Sequence, residues 1–205
     1  MKYKTAQEDF WAGDFGDEYI DRNKSEWLLA SNINFFSKAL SRTSELKNAI
    51  ELGANIGMNC RALKKILPNI ELSGVEINKT AAQKLENVIG KENVLQSSIF
   101  DLKTDQLFDL TFTKGVLIHL NPEKLSEAYE KLYNLSKKYI LICEYYSPTP
   151  VSIPYRGVED RLFKRDFCAE IIDMYSDLNL IDYGFSYRND AKFPQDDITW
   201  FLLEK

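Results

Sequence analysis

The stretch "IELGANIGMNC", residues 50–60, constrains the fold more than any other part of the chain. A short apolar run closes on an acid, two glycines four residues apart bracket an asparagine, and "RALKKIL" continues at helical spacing with Leu63, Ile66 and Leu67 on one face. Strand, bare turn and helix in that order open a β–turn–α unit. Gly53 and Gly57 let its backbone turn sharply and approach a ligand without a Cβ clash, and the helix start behind them offers unpaired N–H groups.

The pattern then repeats. "IELSGVEIN" reads as a second strand with "KTAAQKLENVIG" as its helix, and "ENVLQSSIF" as a third strand. "FDLTFTKGVLIHL" starts as a fourth strand and runs into a loop, after which "NPEKLSEAYEKLYNLS" forms a helix with Asn121 as cap and Pro122 near its first position. "KYILICEYY" is apolar on both faces, as a buried parallel strand should be. Five strand–helix units are thus expected between residues 48 and 146. A Pro-rich loop "SPTPVSIPYRG", a helix "RDFCAEIIDMYSDL" and two strands follow, and the eight-residue connection "NDAKFPQD" is too short for a crossover, so "LIDYGFSYR" and "DITWFLLEK" should pair antiparallel. The expected fold is α/β and Rossmann-like, mostly parallel with an antiparallel C-terminal strand. Its N-terminal helical cap, residues 1–45, holds "EDFWAGDFGDEYIDRN" and "SEWLLASNINFFSKALS"; no linker composition separates it from the core, residues 46–205, so a single domain is expected.

Composition narrows the ligand. A net charge of -5 and a pI near 5.1 argue against a nucleic-acid binder, which neutralises phosphates with clustered Lys and Arg. Cys60, Cys143 and Cys168 form no CxxC or Cys/His pattern, so neither a zinc site nor a disulfide framework is expected, and a reducing cytoplasm is. No apolar leader or spanning segment points to a membrane, and no Asp/His cluster demands a metal. The oligomeric state is left open.

A nucleotide-like ligand suits the glycine loop, although a tight turn without a ligand is the alternative. The GK[ST] of a nucleoside triphosphate loop is absent, and "GANIG" followed by Met58 and Asn59 lacks the third glycine of a dinucleotide site. The residues resemble those of the class I S-adenosylmethionine (SAM)-dependent methyltransferases, in which E/D-x-G-x-G-x-G follows the first strand and an acid ends the second. "ELGANIG" fits with Asn55 in place of the middle glycine, and "GVEIN" supplies Glu76, 23 residues past Gly53. The resemblance covers roughly residues 48–205 and implies SAM as methyl donor, with S-adenosylhomocysteine (SAH) as product. It implies cofactor contacts from Glu51, Gly53, Asn55 and Gly57 in the loop. It implies others from Glu76 and Ile77 at the ribose, from Ser98 and Ile99 beside the adenine, and from Lys114 at the end of the fourth strand. A carboxylate at Glu76 can accept two hydrogen bonds from a ribose cis-diol.

Three further segments, "FWAGDFGDEYIDRN", "TKGVLIHLNPE" and "EYYSPTPVSIPYRG" with "RLFKRDF", look like the methylases encoded beside pseudaminic acid biosynthesis enzymes. This likeness implies methyl transfer in bacterial surface-glycan or nonulosonic acid metabolism, to an O or N of a sugar or nucleotide-sugar. Arg156, Arg161, Lys164 and Arg165 then read either as a basic cluster for an anionic, sugar-like acceptor or as the solvated face of the next helix, with Arg156 and Tyr155 the acceptor candidates. Tyr19 and Arg22 are expected to close over the cofactor, Arg22 pairing with its carboxylate, unless the aromatics around them are mere packing. His119, the single histidine, is a candidate general base or a packing residue; Glu144 is the alternative base or an acceptor-binding group, with Tyr145 beside it and Tyr146 a further acceptor candidate. The competing readings are a methyltransferase of another small metabolite and a non-catalytic SAM-binding regulatory protein.

Overall fold

The computed structural model describes residues 3–20 and 25–205. Helices α1 (Ala6–Ala12), α2 (Asp14–Ile20) and α3 (Glu26–Ala39) come first. Thr5 caps α1 in a reciprocal capping box with Glu8, and Ser25 caps α3 through the Leu28 amide. Then follow β1 (Asn48–Leu52), α4 (Met58–Ile66), β2 (Glu71–Glu76), α5 (Lys79–Ile89), β3 (Val94–Gln96), β4 (Phe108–Lys114), α6 (Leu125–Leu135) and β5 (Ser136–Glu144). The chain ends with β6 (Val151–Tyr155), β7 (Val158–Lys164), α7 (Phe167–Met174), β8 (Asn179–Ser186) and β9 (Ile198–Glu204).

One seven-stranded sheet runs in the order β3-β2-β1-β4-β5-β9-β8. β1 pairs in parallel with β2 and β4, and the β2–β3 and β4–β5 pairs are parallel as well. β9 pairs antiparallel with both β5 and β8. The mostly parallel sheet, its antiparallel end and the N-terminal helices are those the sequence predicts. Successive residues of β5 face opposite sides of the sheet. Leu141 and Cys143 join Phe35, Phe36, Leu63 and Leu85 in one core, while Ile140 and Ile142 join Leu132, Phe167 and Ile171 in the other. Each such buried aliphatic side chain contributes roughly 1.5–3 kcal/mol. Among the described residues no helix is long and apolar enough to cross a membrane.

Two expectations fail. The third strand is only Val94–Gln96 and is followed by a single 3-10 turn, Ile99–Asp101, so strand–helix alternation breaks there and five complete units do not form. The segment read as a Pro-rich loop is a β-hairpin, β6–β7. Tyr155 pairs with Val158 across Arg156 and Gly157, which have φ of 53° and 81°, the two positive values that a tight I′ turn demands. Pro154 is tolerated because the pairing register shifts between Ile153 and Tyr155.

Candidate functional site

From β1 the chain winds outward through β2 to β3 and returns to β4 on the other side of β1, so a crevice opens over the carboxyl ends of the strands at that reversal. A cavity of about 680 Å³ lies there, within the range of about 300–1,000 Å³ common for small-molecule sites.

The glycine loop forms its floor. Gly53 lines the cavity at φ +84°, and a Cβ there would meet Val116 Cγ2 at 2.6 Å. Asn55 takes φ 47°, and asparagine is among the few side chains that tolerate this region, which explains why it can replace a glycine. Gly57 does not reach the cavity. Its φ of +81° starts α4, and a Cβ would strike Leu85 Cδ1 at 2.7 Å, so α4–α5 packing rather than a ligand excludes a side chain there. Glu51 is also away from the cavity. It is fully buried beneath the loop, accepting from Asn59 Nδ2 at 2.6 Å and Cys60 Sγ at 3.4 Å, and burial pushes its carboxyl up to about 8.

Glu76 ends β2 on the cavity wall, only 8% exposed. Its Oε2 accepts from the Asn55 amide at 2.7 Å and its Oε1 from the Asn78 amide at 2.8 Å, so one carboxylate braces the glycine loop and the start of α5 together. Burial raises its pKa, opposed by the amides of Asn78, Asn55 and Ile77. A carboxylate has about four acceptor positions, so capacity remains for a ligand. Ile77, Ser98 and Ile99 line the same end of the cavity, and Lys114 lines it from the tip of β4. Lys114 is half-buried, with its ammonium 5.5 Å from the Phe35 ring centroid, and burial lowers its pKa.

Helices α1 and α2 cover this floor. Glu8 holds the α1 capping box and accepts a short hydrogen bond from Ser98 Oγ, while Lys4 pairs with Asp101 at 2.7 Å. On the other side Gln7 Nε2 donates to the Asp160 carbonyl of β7 at 3.1 Å, and Asn78 Nδ2 donates to Asp17 at 3.0 Å. Trp11 stands between, 4.6 Å from the His119 ring and 5.2 Å from Tyr19, both of which line the cavity. Arg22 lies outside the described residues. Three of the residues that line the cavity, Trp11, Asn55 and Gln7, also carry a buried polar atom without a hydrogen-bond partner: Nε1, Oδ1 and Oε1 respectively.

His119 closes the 3-10 turn Leu117–His119 after β4, packed against Trp11 and against Tyr155 at 4.9 Å. Its Nδ1 lies 2.6 Å from the Arg161 carbonyl, an oxygen that only accepts, so Nδ1 carries the proton and Nε2 the lone pair. Burial lowers its pKa to about 4.

Glu144 and Tyr146 do not line the cavity. Glu144 is 2% exposed, and its oxygens accept from the amides of Val116 and Leu117 at 3.0 Å, from Ile118 at 3.4 Å and from Thr113 Oγ1 at 3.1 Å. A carboxylate so occupied anchors the turn that carries His119 and is not free to act as the alternative base. Tyr146 is 43% exposed, its backbone forming a parallel β-bridge to Arg165, and its neighbour Tyr145 faces the cavity instead, as strand alternation requires. The basic cluster also disperses. Arg165 pairs with Glu170 at 2.7 Å, Arg161 covers the Phe10 ring and Lys164 the Tyr145 ring, while Arg156, at the hairpin turn beside Tyr155, lines the cavity mouth together with Arg188. Tyr145, read from the sequence as lying beside Glu144, does line the cavity, whereas Glu8, Asn32, Asn78, Arg188 and Gln195 were missed, since their polar character gives no motif in isolation.

The sequence matches no protein-family model and no curated protein. Solved structures do share the fold. A magnesium protoporphyrin IX methyltransferase from Synechocystis with bound SAM aligns over 100% of both chains at 10% identity, with a TM-score of 0.70. A 1,6-didemethyltoxoflavin-N1-methyltransferase from Burkholderia thailandensis, with 1,6-didemethyltoxoflavin and SAH bound, aligns over 100% of this chain and 92% of that one at 15% identity and TM-score 0.70. A SAM-dependent methyltransferase from Leishmania major covers 98% and 87% at 15% identity and TM-score 0.71. At such identities the likeness establishes the fold, that of the class I SAM-dependent methyltransferases.

Proposed function

We propose that the chain is a SAM-dependent methyltransferase that acts on a small-molecule acceptor and releases SAH. The observation that carries this reading is Glu76, a buried carboxylate with acceptor capacity to spare, set on the wall of a 680 Å³ cavity beside the glycine loop of this fold. Solved relatives in fold with SAM or SAH bound point the same way.

When bound, SAM supplies a methyl group already activated on a sulfonium. The residues of the chain then need mainly to align the acceptor and remove its proton. Glu76 holds the ribose hydroxyls, Ile77, Ser98 and Ile99 enclose the adenine, and Lys114 receives the carboxylate of the amino-acid tail. Residues 1–45 act as a lid on a single domain, with α1 latched at Ser98, Asp101 and Asp160 to exclude water. His119 is the base: it is neutral at physiological pH, its Nδ1–H is committed to Arg161, and its Nε2 is free to take a proton from an acceptor hydroxyl or amine.

The acceptor is a sugar or nucleotide-sugar carrying an anionic group, of the nonulosonic (pseudaminic) acid kind that the sequence resemblance implies. Arg156 at the cavity mouth supports the anion, and Tyr155 offers an aromatic face for a sugar ring. Incubation of the protein with methyl-labelled SAM and a panel of acidic sugars, nucleotide-sugars and neutral sugars tests the proposal. Label on an acidic member supports it. Tight SAH binding without transfer to any acceptor of a broad panel would favour the non-catalytic reading instead.

A further inference from the structure

A line of side-chain amides runs along the cavity wall from Gln195 to the buried Glu51. Gln195 Nε2 donates to Asn32 Oδ1 at 3.0 Å, Asn32 Nδ2 donates to Asn59 Oδ1 at 3.0 Å, and Asn59 Nδ2 donates to Glu51 Oε1 at 2.6 Å. Four elements contribute: the β8–β9 loop, α3, the first turn of α4 and β1. Each amide donates toward Glu51, and Asn32 and Asn59 also accept from the loop side. Asn32 and Asn59 therefore have both ends engaged, and Gln195 alone keeps an end, Oε1, with no partner among the described residues. Gln195 is 6% exposed and lines the cavity. Its position is fixed further by its backbone, which donates to the Tyr187 carbonyl at 3.3 Å and accepts from the Asp197 amide at 2.8 Å. An amide oxygen held this firmly on the cavity wall, with no donor from the described residues, is poised for a ligand's N–H or O–H.

The sheet order says which part of a ligand arrives there. Ser98 follows β3 and Glu76 ends β2, so a nucleoside held by them runs from β3 to β2, and whatever is attached beyond the ribose continues over β1 toward β4. Gln195 is tied to β1 and the first turn of α4 through the amide line, and Lys114 stands at the tip of β4. Asp196, next in the chain, also lines the cavity. An acceptor oxygen and a carboxylate beside an ammonium complement a zwitterion.

We infer that Gln195 Oε1, with Asp196 beside it, receives the α-ammonium of the cofactor's amino-acid tail, and that Asn32 and Asn59 position it. The inference rests on the methyltransferase reading above and adds a contact to it. It makes cofactor affinity depend on a loop more than a hundred residues from the glycine motif in sequence.

Calorimetry at neutral pH with SAH, with its analogue lacking the α-amino group and with 5′-methylthioadenosine, which lacks the whole tail, tests it. The wild-type chain should bind SAH at least tenfold more tightly than the des-amino analogue. Gln195→Met should weaken SAH at least tenfold while leaving the analogue and 5′-methylthioadenosine within twofold, and Gln195→Glu, which keeps an acceptor, should retain the preference for the amine. Equal weakening of all three ligands by Gln195→Met would make Gln195 a wall of the cavity only and overturn the inference, as would unchanged SAH affinity. Should Gln195→Met not fold, equal wild-type affinity for SAH and the des-amino analogue, or loss of the preference in Gln195→Glu, overturns it. A wild-type chain that binds neither SAH nor 5′-methylthioadenosine removes the methyltransferase reading and this inference with it, whereas binding both without regard to the amine removes the inference alone.

Discussion

His119 Nδ1 lies 2.6 Å from the backbone carbonyl of Arg161, which joins the turn after β4 to the β6–β7 hairpin. The contact fixes the tautomer, so the ring meets the cavity as a neutral acceptor.

His119→Asn should reduce the methyl-transfer rate by ~10² or more with SAH affinity within twofold. The acid limb of kcat/KM should fall near pH 4 rather than 6.5, because burial lowers the His119 pKa to about 4. Stability should follow the same window. Between about 4 and 6.5 the unfolded chain binds a proton at this position that the native chain does not, so stability is lost as pH falls through it. The loss is at most about 3 kcal/mol relative to His119→Asn, read from denaturant unfolding at several pH values. A rate loss under threefold would return His119 to packing.

Glu144→Ala should destabilise the fold by roughly 3 kcal/mol or more, because it strips partners from the buried amides of Leu117 and Ile118, from the part-buried amide of Val116 and from Thr113. Urea midpoints measure this. Full stability combined with lost activity would instead place Glu144 in direct contact with the acceptor.

The fold was legible because its signals are local and repeated: a glycine turn after an apolar strand, helical spacing behind it, and a connection between the last two strands too short for a crossover. The hairpin was not, since the prolines of "SPTPVSIPYRG" read as a loop, and only the pairing of Tyr155 with Val158 shows that Arg156 and Gly157 are its turn. Glu76 could be found by spacing from Gly53. Gln195, Asn32 and Glu8 could not, because their meaning arises from contacts between segments far apart in sequence. Both Tyr145 and Tyr146 read as facing the site, but adjacent residues at a strand end take opposite faces, and only Tyr145 lines the cavity.

Glu8→Ala removes the α1 capping box and the bond to Ser98 together. Release of SAH should accelerate at least tenfold, measured by stopped-flow, with a small change in melting temperature, since α1 is short and the two cores do not include it. An unchanged release rate would mean that α1 does not gate the cavity.

Arg156→Ala should lower kcat/KM for an anionic acceptor more than tenfold and leave SAH affinity unchanged, because the guanidinium lines the mouth while Glu76 lies at the cofactor end. Equal use of neutral and anionic acceptors, with Arg156→Ala harmless to both, would discard the anionic acceptor while leaving methyl transfer intact.

If the cavity holds SAM with its ribose on Glu76, calorimetric titration of SAH into the wild-type chain and into Glu76→Gln will show it. Glutamine keeps the size of the side chain, but its amide group cannot accept at both ends, and a hydrogen bond to a charged acceptor is worth roughly 1.5–3 kcal/mol. The wild-type chain should bind SAH saturably and one to one, with at least a tenfold weaker affinity in a Glu76→Gln variant that still unfolds cooperatively. No binding of SAH to the wild-type chain, or equal affinity in the two proteins, would contradict it.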